Sequence, residues 1–199
     1  MPYILSSLIG YALGSIPTAY LMLKWQKGID ITKNGSGNVG ALNSLRVSKS
    51  KPIAASVFMI DLMKGWISVL IVASFYPGDY IFPMITLIAA VLAHCYSPWI
   101  NFKGGRGLAT AAGGGLFLSP IILVLWILLW LISYLVKNNS HIANFAASLF
   151  SPIISFVAGD FLNSHSAIHA INNLQFGTSL SILFIIILTK HIQPSRSLM

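Results

Sequence analysis

The chain has 199 residues, 56% of them hydrophobic and only 8% charged. Soluble domains carry about 25% charged residues, so this composition excludes a single water-soluble globular domain and indicates a membrane protein. Twelve Lys and Arg against four Asp give a net charge of +8. In a membrane protein this excess is typical of cytoplasmic loops, and we expect no nucleic-acid partner. The one cysteine, Cys95, excludes an intramolecular disulfide framework.

Apolar runs separated by glycine, proline and charged residues predict the membrane spans. The first run lacks the basic start and cleavage site of a signal peptide, so we interpret it as a retained span. In chain order the predicted segments are Pro2–Leu23, Pro52–Phe75, Tyr80–Ile100, Leu108–Leu118, Ile121–Val136, His141–Ala158 and Leu174–Thr189. Polar connections at 24–51, 101–107 and 160–173 and a tail at 190–199 complete a single domain over residues 1–199.

The stretch from Leu108 to Val136 allows two interpretations, because Ser119-Pro120 interrupts it. It forms either one kinked span or two segments folded back on each other. Two segments give seven spans, and with the N-terminus outside, every basic residue except Lys64 then faces the cytoplasm. We therefore predict an all-α integral membrane protein of about seven transmembrane helices, with the N-terminus outside and the C-terminus cytoplasmic.

A glycine-rich loop follows the first span. Gly35, Gly37 and Gly40 allow the backbone to turn and approach a ligand, and successive N–H groups in such turns form a concave anion site. Ser36 and Asn38 add side-chain donors. The alternative is a flexible loop without a ligand. The loop is not a dinucleotide fingerprint, because no predicted strand precedes it.

A second loop, Phe102-Lys103-Gly104-Gly105-Arg106-Gly107, places two cations around a glycine pair just before a predicted helix. Helix N-termini favour anions, and Lys and Arg neutralise phosphate. The alternative is a basic turn at the membrane surface. Two glycine-rich basic loops on the same face favour a shared phosphate site.

Ionisable residues within or at the ends of predicted spans are the remaining candidates. Asp61 and Lys64 share a helix face and can pair, either as a structural ion pair or facing substrate. His94 is a packed residue or a ligand contact, and His191 is an interfacial anchor or a general base. No role is assigned to His141, His165 and His169. Four scattered Asp and no Cys/His cluster predict neither a metal nor a cofactor.

Three ordered segments, which include the first two of the family's three motifs, resemble the bacterial acyl-phosphate-dependent glycerol-3-phosphate acyltransferases, the PlsY family. They lie within roughly Ile9 to Pro120 and run from Gly14-Ser15-Ile16-Pro17 to Asn43 and Arg46, over Asp61-Leu62-Met63-Lys64-Gly65, and from His94 to Thr110. The resemblance implies a seven-span fold with the N-terminus outside. It also implies transfer of an acyl group from acyl phosphate to glycerol 3-phosphate, giving lysophosphatidic acid and inorganic phosphate without acyl-CoA, acyl-carrier protein or metal.

The resemblance also implies a site. The residues expected to be catalytic are Ser36, Asn38, Arg46, Lys103 and His191. Those expected to bind substrate are Gly35, Gly37, Gly40, Asn43, Asp61, Lys64, His94, Gly104, Gly105, Arg106, Gly107 and Thr110. The expected partners are acyl phosphate, glycerol 3-phosphate and membrane lipids. We expect a monomer in the bacterial inner membrane, with the active site facing the cytoplasm.

The chain departs from the family pattern in three places. Arg106 stands where the family usually has Lys, and Leu42 where it usually has Thr. The third motif runs in the family from Arg-His through Asn-Ile to Gly-x-Glu. Here Lys190-His191 keeps the cation and the histidine, but the chain contains no Glu. Two other functions therefore stay open: a homologue that binds lipid phosphate without turnover, and a small transporter, although no inverted repeat is evident.

Overall fold

The protein is seen in a computed structural model that describes residues 1–192, where it forms α-helices and one short 3₁₀ turn but no strand. The helices are α1 Pro2–Gly14, α2 Thr18–Lys27, α3 Ala41–Ser48, α4 Lys51–Phe75, α5 Ile81–Cys95, α6 Leu108–Leu118, α7 Pro120–Lys137, α8 Ser140–Val157, α9 Gly159–Ser164 and α10 Asn173–Ile192. Six segments in this part of the chain are long and apolar enough to cross a membrane. The predicted all-α membrane class is confirmed.

The first predicted span contains a break between two helices. α1 ends at Gly14 and α2 begins at Thr18, because Pro17 has no N–H to continue the helical hydrogen bonds. The carbonyl of Ile16 at this break accepts a hydrogen bond from Lys64 Nζ at 3.0 Å. Ser97 Oγ donates to the neighbouring carbonyl of Ser15 at 2.6 Å. The break therefore joins three segments of the bundle.

The structure decides between the two interpretations of the region after Leu108. Arg106, just before α6, donates a hydrogen bond from Nη1 to Nδ1 of His141, at the start of α8, at 2.8 Å. Along the chain, α6 and α7 separate these two residues, and the 18 residues of α7 span about 27 Å. The contact is possible only if α7 runs back alongside α6, so the kinked single span is wrong. The total of seven passes and the outside N-terminus stay predictions, because α6 has only 11 residues.

Glycines set the closest helix contacts around the site. A Cβ on Gly65 of α4 would collide with the carbonyl of Thr110 on α6, and one on Gly113 would collide with the carbonyl of Leu62. α4 and α6 therefore touch backbone to backbone, as small residues allow in membranes. By contrast, α7 buries only Ile122 and exposes seven large apolar side chains, as expected for a lipid-facing helix.

Candidate active site

Asn43 on α3 organises the first glycine-rich loop. Its buried side-chain amide donates to the carbonyls of Asn34 and Asn38 at 3.1 and 2.9 Å. Its Oδ1 accepts from the N–H of Ser36 at 3.0 Å. Gly35 has a left-handed φ of 60°, and a Cβ there would collide with this same amide. Substrate binding by Asn43 stays a prediction, and its contacts are those of a residue that holds the loop in shape.

The loop is also held from its N-terminal side. The Thr32 hydroxyl donates to Asp30 Oδ1 at 2.7 Å, and this hydrogen bond is the main cause that lowers the pKa of the Asp30 carboxyl. The side-chain amide of Asn34 donates to the Asp30 carbonyl at 2.7 Å. Hydrogen bonds among its own polar groups therefore hold the N-terminal side of this loop in place.

The second glycine-rich loop docks directly on the first. The N–H of Val39 donates to the carbonyl of Gly104 at 3.3 Å, and the N–H of Gly105 donates to the carbonyl of His94 at 3.1 Å. A Cβ on Gly105 would collide with the imidazole of His94 and approach the Val39 carbonyl. Glycine is therefore required here by close packing, and the two loops form one surface.

Between these loops and the helices lies a polar cavity of about 190 Å³. Its lining residues come from both loops and from α3, α4, α5, α6 and α8. They are Ser36, Asn38, Gly40, Ala41, Leu42, Asn43, Arg46, Phe58, Asp61, His94, Arg106, Gly107, Leu108, Ala109, His141 and Asn144. The structure therefore brings together most of the residues that the sequence singled out. We call this the polar cavity.

Two guanidinium groups face the polar cavity. Arg46 is exposed at its mouth, and Arg106 is half-buried. Burial, and after it the nearby charge of Arg46, lower the pKa of Arg106 from its ordinary value. An arginine still stays protonated at neutral pH, so the two like charges favour an anion between them. Among the described residues, neither arginine forms an ion pair with an Asp side chain.

Asp61 and Lys64 form a buried ion pair on α4, with Nζ 2.9 Å from Oδ1. Lys64 turns from the polar cavity toward the Ile16 carbonyl, whereas Asp61 lines the cavity. His94 Nδ1 lies 3.7 Å from the same Asp61 oxygen. Of the two interpretations of the pair, the structure places Lys64 in the structural role and leaves Asp61 at the cavity wall.

Lys103, Thr110 and His191 also lie outside the lining of the polar cavity, as do four expected glycines, Gly35, Gly37, Gly104 and Gly105. The Lys103 side chain is exposed beside Gly104. Thr110 is buried at the α4–α6 crossing, and its hydroxyl has no partner in the described part of the chain. His191, in the last turn of α10, places Nδ1 2.9 Å from the carbonyl of Ile187. The remainder of the divergent third motif, from Gln193 onward, lies outside the described residues.

The state of His191 follows from its hydrogen bond. A carbonyl only accepts, so Nδ1 carries the proton and Nε2 is left unprotonated in the neutral ring. Nε2 is buried and has no partner within residues 1–192. The ring is close enough to Arg106 and His141 to interact electrostatically with both. Among residues 1–192, no hydrogen-bond donor therefore competes for this nitrogen as a proton acceptor.

Two polar residues of the cavity wall, His141 and Asn144, are not among the expected site residues. They lie three positions apart, so they share one face of the first turns of α8. The signal was available: both follow the basic end of α7, on the face where the glycine-rich loops were expected. No glycine-rich motif on α8 singles these two residues out in the sequence.

An apolar groove of about 80 Å³ begins where the polar cavity ends. Leu108, the first residue of α6, lines both spaces. The groove follows α6 to Leu118, which is about 15 Å of helix, between α5, α7 and α10. A charged pocket and an apolar channel therefore adjoin at the N-terminus of α6. Within residues 1–192, no group of His, Cys or Asp side chains is arranged to hold a metal ion.

Comparison with known proteins gives one consistent family. The sequence profile described as "Glycerol-3-phosphate acyltransferase" matches residues 4–199. The glycerol-3-phosphate acyltransferase of Helicobacter acinonychis is 32% identical over 195 residues, covering 95% of this chain and 88% of the relative. That of Thermotoga petrophila is 35% identical over 158 residues, covering 79% of each.

Two crystal structures of PlsY (YgiH), an integral membrane glycerol 3-phosphate acyltransferase, share the fold. The glycerol 3-phosphate form has a TM-score of 0.77 at 31% identity and covers 96% of this chain and 88% of that one. The lysophosphatidic acid form has a TM-score of 0.76 at 30% identity, with coverage of 96% and 89%.

Proposed function

Since the chain belongs to the glycerol-3-phosphate acyltransferase (PlsY) family, we propose that it transfers an acyl group from acyl phosphate to glycerol 3-phosphate. The products are 1-acylglycerol 3-phosphate, that is lysophosphatidic acid, and inorganic phosphate. One observation carries the proposal: the polar cavity with its two arginines adjoins the apolar groove at Leu108. An acyl phosphate has the same two parts, a dianionic head on an apolar chain.

The two spaces suggest how the donor lies. Its phosphate occupies the polar cavity near Arg46 and Arg106, and its chain follows the groove along α6. The acyl carbonyl then falls near Gly107 and Leu108, where a helix begins. Free N–H groups at a helix N-terminus favour the negative charge that develops on a carbonyl oxygen under attack. The phosphate of the acceptor is held at the first loop, with Ser36 and Asn38 as donors.

The reaction itself is an acyl transfer. The glycerol hydroxyl forms a bond to the acyl carbon, and a tetrahedral intermediate with an oxyanion results. The intermediate collapses when the bond to the phosphate oxygen breaks, and the phosphate leaves with the bonding electron pair. The chain's contribution is to orient two phosphorylated reactants and to supply positive charge where negative charge accumulates. No resident cofactor enters this scheme.

The hydroxyl proton has two possible acceptors. One is Nε2 of His191, which the hydrogen bond from Nδ1 to Ile187 leaves unprotonated. The other is an oxygen of a bound phosphate. Lys103, exposed at the edge of the second loop, is proposed to neutralise the leaving phosphate once substrate is bound, because a long flexible amine reaches several oxygens. We place the active site at the cytoplasmic face of the bacterial inner membrane, in a monomer.

The proposal is tested by reconstitution in lipid. Purified protein is supplied with palmitoyl phosphate and labelled glycerol 3-phosphate, and labelled lysophosphatidate is measured. We expect product in proportion to protein and none when palmitoyl-CoA replaces palmitoyl phosphate. Product from palmitoyl-CoA alone would overturn the donor assignment.

The divergence of Ile192-Gln193-Pro194 from the family's third motif favours a second candidate, a homologue that binds lipid phosphate without turnover. Saturable binding of glycerol 3-phosphate with no product at any protein concentration would favour this candidate over the acyltransferase.

A further inference from the structure

His141 contacts the polar cavity from a helix outside every motif discussed so far. The side chain of Asn139 caps α8 by accepting hydrogen bonds from the N–H groups of His141 and Ile142 at 2.9 and 3.2 Å. Asn138 before it has a left-handed φ of 46°, which ends α7. This turn fixes the first residues of α8 over the cavity, where His141 and Asn144 both line the wall.

The hydrogen bond between Arg106 and His141 determines the state of the histidine. A guanidinium only donates, so His141 Nδ1, 2.8 Å from Arg106 Nη1, must accept and cannot carry a proton. The ring is therefore neutral with its proton on Nε2. It acts as an acceptor that orients a cation, which is a different task from that of His191, whose Nδ1 is the donor.

Arg106 needs such an orienting partner. It lies between Gly105 and Gly107 in the second glycine-rich loop, and among the described residues no carboxylate is paired with it. Without a partner, its long side chain has several rotamers available, and ordering them costs free energy on binding. An acceptor on a capped helix selects one orientation before the ligand arrives.

We propose that His141 is a positioning residue, whose Nδ1 holds the Arg106 guanidinium toward a phosphoryl group in the polar cavity. The inference rests on the proposed function for the identity of the ligands, which are phosphate monoesters or acyl phosphates. It makes α8 a third wall of the site, in a chain whose third motif lacks the family's acid. His141 acts through Arg106 and not on the reacting atoms.

The test measures binding, so it does not depend on turnover. Affinities of the purified protein in detergent are determined by calorimetry for glycerol 3-phosphate and for a long-chain acylphosphonate, whose carbon–phosphorus bond does not transfer the chain. His141→Ala removes the acceptor. His141→Asn restores an acceptor oxygen close to the position of Nδ1. His169→Ala, at an exposed histidine between α9 and α10, is the matched control.

We expect His141→Ala to raise the Kd of at least one ligand about tenfold, which is the effect of losing one charge-assisted hydrogen bond. The Kd of His141→Asn should stay within about twofold of that of the unchanged protein, because the Asn oxygen can again accept the hydrogen bond from Arg106. The ligand whose Kd rises identifies which phosphoryl group Arg106 contacts. In an Arg106→Ala background, His141→Ala should have no further effect, because the positioned group is gone.

Unchanged affinities in His141→Ala would overturn the inference, as would equal losses in the Ala and Asn variants or additive losses in the double variant. If His141→Ala does not fold, His141→Leu fills the ring volume without an acceptor and replaces it. If neither accumulates as folded protein, the role is structural and the inference is overturned. If the unchanged protein binds the ligands without turnover, only the proposed reaction is overturned. If it binds neither ligand, both the proposed reaction and the positioning role of His141 are overturned.

Discussion

The backbone N–H of Val39 donates a hydrogen bond to the carbonyl of Gly104 at 3.3 Å. This bond joins two glycine-rich loops that are far apart in the sequence. Because each loop carries polar groups for one side of the polar cavity, their connection joins two separate turns into one wall. The geometry of the site therefore depends on residues that keep the loops in shape as well as on those that touch a ligand.

Asn43 should prove essential to that shape. Asn43→Ala leaves the carbonyls of Asn34 and Asn38 and the N–H of Ser36 without their partner. Because each buried polar group that loses its partner costs about 1–3 kcal/mol, we expect the free energy of unfolding to fall by at least about 2 kcal/mol. Thermal denaturation in detergent measures it. Ser74→Ala is the control, because that hydroxyl bonds only within its own helix. An equal Tm for both variants would contradict this role.

The Asp61–Lys64 pair should behave as a structural unit. Lys64→Met leaves the Asp61 carboxylate buried without its cation, and breaking a buried pair in this way costs about 3–5 kcal/mol. The double variant Asp61→Asn/Lys64→Met removes both charges, so we expect it to be more stable than Lys64→Met alone. Denaturation of the three proteins under the same conditions gives the order. A double variant less stable than the single one would show that Asp61 has a second partner that matters more.

Lys103 should be required for turnover although it lies at the edge of the cavity. We expect Lys103→Ala to abolish lysophosphatidate formation while expression persists, because the flexible cation neutralises phosphate in the transition state. Lys137→Ala is the matched control: it removes an exposed lysine at the end of α7 and should keep activity. Rates of product formation at equal protein compare them. Near-normal activity of Lys103→Ala would show that this lysine is not needed to neutralise the phosphate.

The apolar groove should set acyl-chain preference. Gly115 lines the groove about 10 Å along α6 from Leu108, and a Cβ there has no neighbour within 4 Å. Gly115→Leu should therefore obstruct long chains, lowering kcat/KM for palmitoyl phosphate at least about tenfold. Octanoyl phosphate, whose chain ends near this position, should be much less affected. Gly115→Ala tests the effect of adding a single methyl group at this position. Equal losses for both substrates would mean that the chain lies elsewhere.

Topology should follow the charge distribution. An Asp79→Cys/Cys95→Ser protein should react with a membrane-impermeant maleimide in intact cells, because the turn after α4 is predicted to lie outside. Lys137→Cys/Cys95→Ser should react only after lysis. The native thiol is buried, and its removal leaves one reporter in each protein. The reverse labelling pattern would invert the orientation.

Much of this architecture is present in the sequence. Apolar runs of membrane length and few charges predict helices, because in lipid every backbone group must be paired within its own segment. The glycine-rich loops and their cations indicated a phosphate site, and motif order identified the family. The break at Pro17 was not indicated, since a hydropathy pattern does not register a missing N–H.

Only the tertiary structure decided the long-range pairings. The sequence determined that Asp61 and Lys64 share a helix face, but not that Lys64 would turn to the Ile16 carbonyl. It left the segment after Leu108 open, and the Arg106–His141 hydrogen bond shows that α7 returns alongside α6. It also did not indicate His141, which has no motif around it. The physical reason is common to all three: local pattern specifies which residues are buried or charged, whereas their partners are chosen by how the helices pack.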